Sequence, residues 1–118
     1  MKISRTLVVL DAPDLAAESG FWAAVFGGTV DAEDDWHTVM VDGAPRLAVQ
    51  LAPGLEPPDW PHGIPQQLHL DVFVEDVKEA SDEVLRLGAR LLQEADLDAA
   101  EGYVVFADPA GHPFCLCW

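Results

Sequence analysis

The chain says the same thing twice. Leu7 to Asp14 reads Leu-Val-Val-Leu-Asp-Ala-Pro-Asp and His69 to Asp76 reads His-Leu-Asp-Val-Phe-Val-Glu-Asp, each an apolar run followed by an acidic residue that opens a helical pattern. The copies agree again where Gly28 and Gly88 close those patterns, and where Gly43-Ala44-Pro45 and Gly111-His112-Pro113 precede a last apolar run. With only 118 residues to share, neither copy buries enough surface to stand alone, so the two are expected to fuse tightly into one domain. A duplicated chain of this kind is expected to carry its site between the halves.

Each copy reads as β-α-β-β-β. In the first, Ile3 to Leu10 is aliphatic and β-branched, Asp14 caps a helix through Phe26, and Leu15, Trp22, Val25 and Phe26 recur at helical spacing until Gly27-Gly28 stops it. Strands are expected near Thr29-Val30, from Trp36 to Val41 and from Arg46 to Leu51. In the second, Gln67 to Val74 is a strand, and Asp76 to Glu79 has capping-box spacing. Val77, Ala80, Val84 and Leu87 then form an apolar stripe that ends at Gly88. Arg90 to Gln93, Gly102 to Ala107 and Phe114 to Trp118 complete the set. Pro53 to Pro65 holds five prolines and two glycines and reads as an extended connector between a module at 1–52 and one at 66–118.

Charge and cysteine usage remove several classes of function. Six Lys plus Arg stand against 21 Asp plus Glu, a formal charge of -15, which repels a phosphate backbone and excludes nucleic acid as a partner. The same field favours a cationic guest, although a merely solubilising acidic surface has the same composition. The apolar stretch Thr6 to Leu10 is too short for a signal-peptide core or a membrane span, so a cytoplasmic protein with no membrane partner is expected. Cys115 and Cys117 alternate along one strand and are expected as reduced thiols rather than a disulfide. No Ser-His-Asp order, Gly-rich phosphate loop or Cys-x-x-Cys occurs.

Two such modules in tandem, with Asp108-Pro109-Ala110-Gly111-His112-Pro113-Phe114 before the last strand, resemble the vicinal oxygen chelate superfamily of glyoxalase-like proteins, bleomycin-resistance proteins and extradiol dioxygenases. The likeness spans the chain and includes Pro13-Asp14 with Phe21-Trp22, His69 with Val74-Glu75-Asp76, and Gly88-Ala89-Arg90. It implies an α+β fold whose two modules curl into a cup of mixed sheet. In metal-using members, four residues on four strands chelate a divalent ion. Carried onto this chain, those places fall on Leu7, then Gln50 or, counted from the Gly-x-Pro turn, Leu47, then His69 and Cys115. Leucine binds no metal, and one imidazole, one thiol and one amide make a poor cage for Zn²⁺ or a hard cation. The expectation is therefore a degenerate site with no cofactor.

His69 and Asp71 are two apart on a strand and share a face, as a base with its orienter or as a plain polar pair. With the distant His112 they also have the residue types of a two-His-one-carboxylate iron site, on the wrong scaffold. Trp36, Trp60 and Tyr103 lie near loops that border the cup and offer faces for a flat organic ligand, or simple packing. The acidic loops Asp31 to Asp35 and Glu94 to Glu101 lack EF-hand spacing and read as solvated. The expected ligand set is thus Gln50, His69, Asp71, Cys115, Trp36 and Tyr103, taking a small organic, cationic molecule. An enzyme, a lyase, isomerase or dioxygenase using His69 and Asp71, is the alternative; a homodimer whose paired modules close each other's cups is a third class.

Overall fold

The computed structural model describes residues 1–118 and divides them into two compact units, Met1–Leu55 and Glu56–Trp118. In the first, β1 (Val8–Ala12) leads to α1 (Leu15–Phe26), β2 (Thr29–Ala32), β3 (Trp36–Val41) and β4 (Ala44–Leu51), with sheet order β1-β4-β3-β2. In the second, β5 (Leu70–Phe73) leads to α2 (Val77–Leu87), β6 (Arg90–Gln93), β7 (Tyr103–Ala107) and β8 (Pro113–Cys117), in order β5-β8-β7-β6. Each sheet is mixed: its first strand pairs in parallel with its last, and the remaining pairs are antiparallel. The fold is α+β in two tandem β-α-β-β-β modules, as the repeat requires. No helix is long and apolar enough to cross a membrane.

Strand ends moved where partners decide them. β1 begins at Val8 rather than Ile3, because its ladder runs from Val8 opposite Leu47 to Ala12 opposite Leu51 and leaves residues 1–6 no strand to pair with. β5 shortens to Leu70–Phe73 for the same reason, which places His69 one residue before it. The Pro-rich segment contains no helix or strand; it turns on itself, the Asp59 N–H donating to the Ile64 carbonyl at 2.8 Å.

Both helices open as the sequence implies. The Asp14 carboxylate accepts the Ala17 N–H at 3.0 Å, and that of Asp76 accepts the Lys78 and Glu79 N–H groups at 3.0 Å, so each cap satisfies donors the helix leaves without partners. α1 packs on β2, β3 and β4, where Val39, Leu47 and Val49 are buried, as is Leu10 of β1. Trp22 is 1% exposed, stacks on Phe26 with ring centroids 5.4 Å apart, and donates its indole N–H to the buried Glu18 carboxylate at 3.1 Å. In the second unit α2 packs on β8 through its buried Val77, Ser81 and Val84, over the stacked rings of Phe106 and Phe114.

The glycines that close the helices are not equivalent in the way their spacing suggests. Gly27, with φ +65°, is the left-handed cap that matches Gly88, while Gly28 does a different job: a Cβ there would lie 2.2 Å from the Met40 carbonyl oxygen. Gly27→Asn should therefore keep the melting temperature within a few degrees, since asparagine tolerates the left-handed region. Gly28→Ala should cost at least the about 1–3 kcal/mol of an overpacked site. Equal thermal shifts for the two variants would contradict this division of labour.

Candidate functional site

A sheet covered by a helix on one side sends alternate residues to opposite faces. In the second unit Phe114 and Leu116 are buried on the α2 side, whereas Cys115 and Cys117, which alternate with them, face the other way and are partly exposed. The ladder sets Asp71 opposite Cys115 and Phe73 opposite Cys117, with Tyr103 opposite Cys117 on the other flank. His69 continues that row. This open face holds a pocket of about 710 Å³ lined entirely by residues of the second unit.

His69, Asp71, Cys115 and Tyr103 all line it, together with Trp60. Gln50 and Trp36 belong to the sheet of the first unit and do not line this pocket. Trp36 donates its indole N–H to the Thr38 hydroxyl at 3.1 Å, which commits that group within β3. Sequence reasoning missed Gln66, Phe73 and Trp118, and left Glu101 in a solvated loop although it also lines the pocket. Alternation from Asp71 would have supplied Phe73. Trp118 is admitted by Gly102, where a Cβ would lie 2.9 Å from the indole ring.

The register of the first module corrects one expectation. Met40 pairs with Pro45 and Val39 with Leu47, so Arg46 is an extra residue in β4, whereas β7 and β8 pair without a break from Ala107–Pro113 to Tyr103–Cys117. Counting from the Gly-x-Pro turn therefore slips by one. Leu47 lies under α1 at 2% exposure and is excluded as a ligand; Ala48 is the internal counterpart of Cys115, and the exposed Gln50 lies two residues on, on the same open face.

The chemistry of the second unit centres on His69, Asp71 and Cys115, whose donor atoms lie within 4.8 Å of one another. His69 Nε2 stands 3.4 Å from an Asp71 carboxylate oxygen, with both side chains about half exposed at 46% and 47%. His112 is not part of this group; it sits in the turn between β7 and β8, where its backbone N–H donates to the Asp108 carboxylate at 2.8 Å. The Cys115 thiol is pushed up to about 11, first by burial, then by the Asp71 charge, by Cys117, and by its hydrogen bond to Asp71. Burial and Asp71 raise Cys117 as well.

These donors do not fit the four-strand metal site that the superfamily resemblance implies. Leu7 offers no ligand atom, Leu47 is buried in the core, and Gln50 supplies one neutral amide, so the inherited positions muster one imidazole and one protonated thiol besides it. Asp71, outside those positions, is the remaining donor within reach of His69 and Cys115.

The family model described as a glyoxalase-like domain matches residues 7–117. No curated protein matches the chain significantly. Among solved structures, the fosfomycin resistance protein FosX from Listeria monocytogenes, complexed with Mn(II) and sulfate, is 18% identical with a TM-score of 0.70, covering 98% of this chain and 90% of that one. A glyoxalase family protein from Enterococcus faecalis is 19% identical at a TM-score of 0.69, with full coverage of both chains at 100%. A glyoxalase-related enzyme from Fulvimarina pelagi reaches 22% identity and a TM-score of 0.65, over 98% of this chain and 88% of that one.

Thiol reactivity follows from the geometry. At pH 7 to 8 Cys115 should be alkylated by iodoacetamide far more slowly than a free cysteine, and Asp71→Asn should speed it several-fold by removing the neighbouring charge, without reaching the free rate because burial remains. An unchanged rate in Asp71→Asn, read by peptide mass spectrometry, would contradict the contact.

Proposed function

Because the chain belongs to the glyoxalase-like domain family, within the vicinal oxygen chelate superfamily, we propose that it binds a small organic molecule on the open face of its second sheet, with no metal in the positions that superfamily uses. The observation that carries this reading is the pocket itself. At about 710 Å³ it falls in the size range of small-molecule sites, and it brings His69, Asp71, Cys115 and Tyr103 to one wall. Binding without turnover makes sequestration the role. The free thiols Cys115 and Cys117 suit a reducing compartment, so we place the protein in the cytoplasm.

A catalytic reading has its own support. Three donors within 4.8 Å can share one cation, and His69 beside Asp71 has the arrangement of a base with its orienter. Two measurements separate the readings. Metal analysis of protein purified without chelator or added metal should find substoichiometric divalent ion, and a stoichiometric ion lost in His69→Ala would overturn the metal-free reading. In the same variant weakened ligand binding supports a receptor, whereas abolished turnover of an identified substrate supports an enzyme.

Pairing of two copies completes the proposal. β5 is an edge strand that leaves Phe73 80% exposed, a ring better placed against a partner than in water. Light scattering should return the mass of a dimer; a monomer at working concentration would contradict it.

A further inference from the structure

We infer that the guest of the second-unit pocket is an organic ammonium ion carrying an apolar body, held by aromatic faces and carboxylates. The inference rests on the pocket being a ligand site and goes on to name the charge of the ligand. The lining carries two carboxyl groups, those of Asp71 and Glu101, beside the imidazole of His69. None of the six Lys and Arg of the chain contributes to the lining. An anion entering here meets two carboxylates and no fixed positive charge, while a cation meets charge of the opposite sign.

The uncharged part of the wall has the same bias. Trp60, Phe73, Tyr103 and Trp118 present ring surface, and a cation over such a ring gains about 0.5–2 kcal/mol from its quadrupole. Trp118 has its indole N–H committed to the Ala99 carbonyl at 2.9 Å, so it offers the pocket ring rather than a donor. Gln66 also lines the pocket, and its amide oxygen, shut off from solvent, has no hydrogen-bond partner in the protein. A buried acceptor without a donor is costly, so a turn of this amide toward an ammonium N–H in the pocket is favourable. A cavity of about 710 Å³ has room for a drug-sized body attached to the charged group.

Matched triplets of amine, alcohol and carboxylate on one body test the charge separately from the site. Tyramine, tyrosol and 4-hydroxyphenylacetate form one such triplet; cyclohexyl and n-hexyl series supply two others, with affinities read by calorimetry at low and high salt. The amines should bind about tenfold or more tighter than their alcohols, the carboxylates should bind least, and the amine preference should shrink in Asp71→Asn and in Glu101→Gln while both variants keep their melting temperatures. Alcohols binding as tightly as amines, or carboxylates binding best, would overturn the ammonium inference and leave the pocket reading standing. Absence of binding across all three series would overturn both.

Discussion

Covering one face of a sheet with a single helix commits every strand residue to one of two fates, and the rest of this protein follows from that commitment. In each module α1 or α2 packs on one side, so residues of one parity lie under the helix and those of the other parity face away from it, where Ala48, Val105 and Ala107 are buried and others line the open face. In the second module the buried parity is Val104, Phe106, Phe114 and Leu116. The open parity is Asp71, Phe73, Tyr103, Cys115 and Cys117, with His69 leading into it. One residue of slip in β8 would exchange these sets, which is why the turn from Asp108 to His112 is tied by three hydrogen bonds of 2.8 to 3.0 Å.

The duplication gives that rule a second use, because the two open faces can be compared position by position. Leu7 stands where the second module has His69, Val9 where it has Asp71, and Ala48 where it has Cys115. At those three positions the first module has no titratable group, and its face holds Asp11, Asp31, Thr38, Gln50 and a Trp36 bonded to its own strand. The repeat preserves the scaffold, while the His69, Asp71 and Cys115 group stands in the second copy. A chelate needs donors that converge, and here the inherited positions do not supply them.

Much of this was legible in the sequence because it depends on period and punctuation. The caps Asp14 and Asp76, the stripe on α2, and the shared face of His69 and Asp71 are all consequences of spacing. What stayed hidden depends on hydrogen bonding that composition does not encode. The extra residue Arg46 in β4 offsets every count made from the preceding turn, so the counterpart of Cys115 is Ala48, neither Leu47 nor Gln50, and only the ladder reveals it. In the doublet Gly27-Gly28 one glycine supplies a left-handed φ and the other a close approach to Met40, a distinction invisible in two identical letters. Gln66 reaches the pocket from the end of a Pro-rich segment with no period to read, and Glu101 does so from a loop whose acidity suggested only solvation.

The central claim is that ligand chemistry resides on the open face of the second module and not at its counterpart in the first. Backbone amide shifts recorded by NMR while the labelled protein is screened against a fragment library test it most directly. Fragment hits should perturb residues 69–73, 101–105 and 113–118 as a group and leave 36–38 and 48–50 unmoved. A dominant cluster of shifts on the first module, over Ala48 and Gln50, would contradict the account.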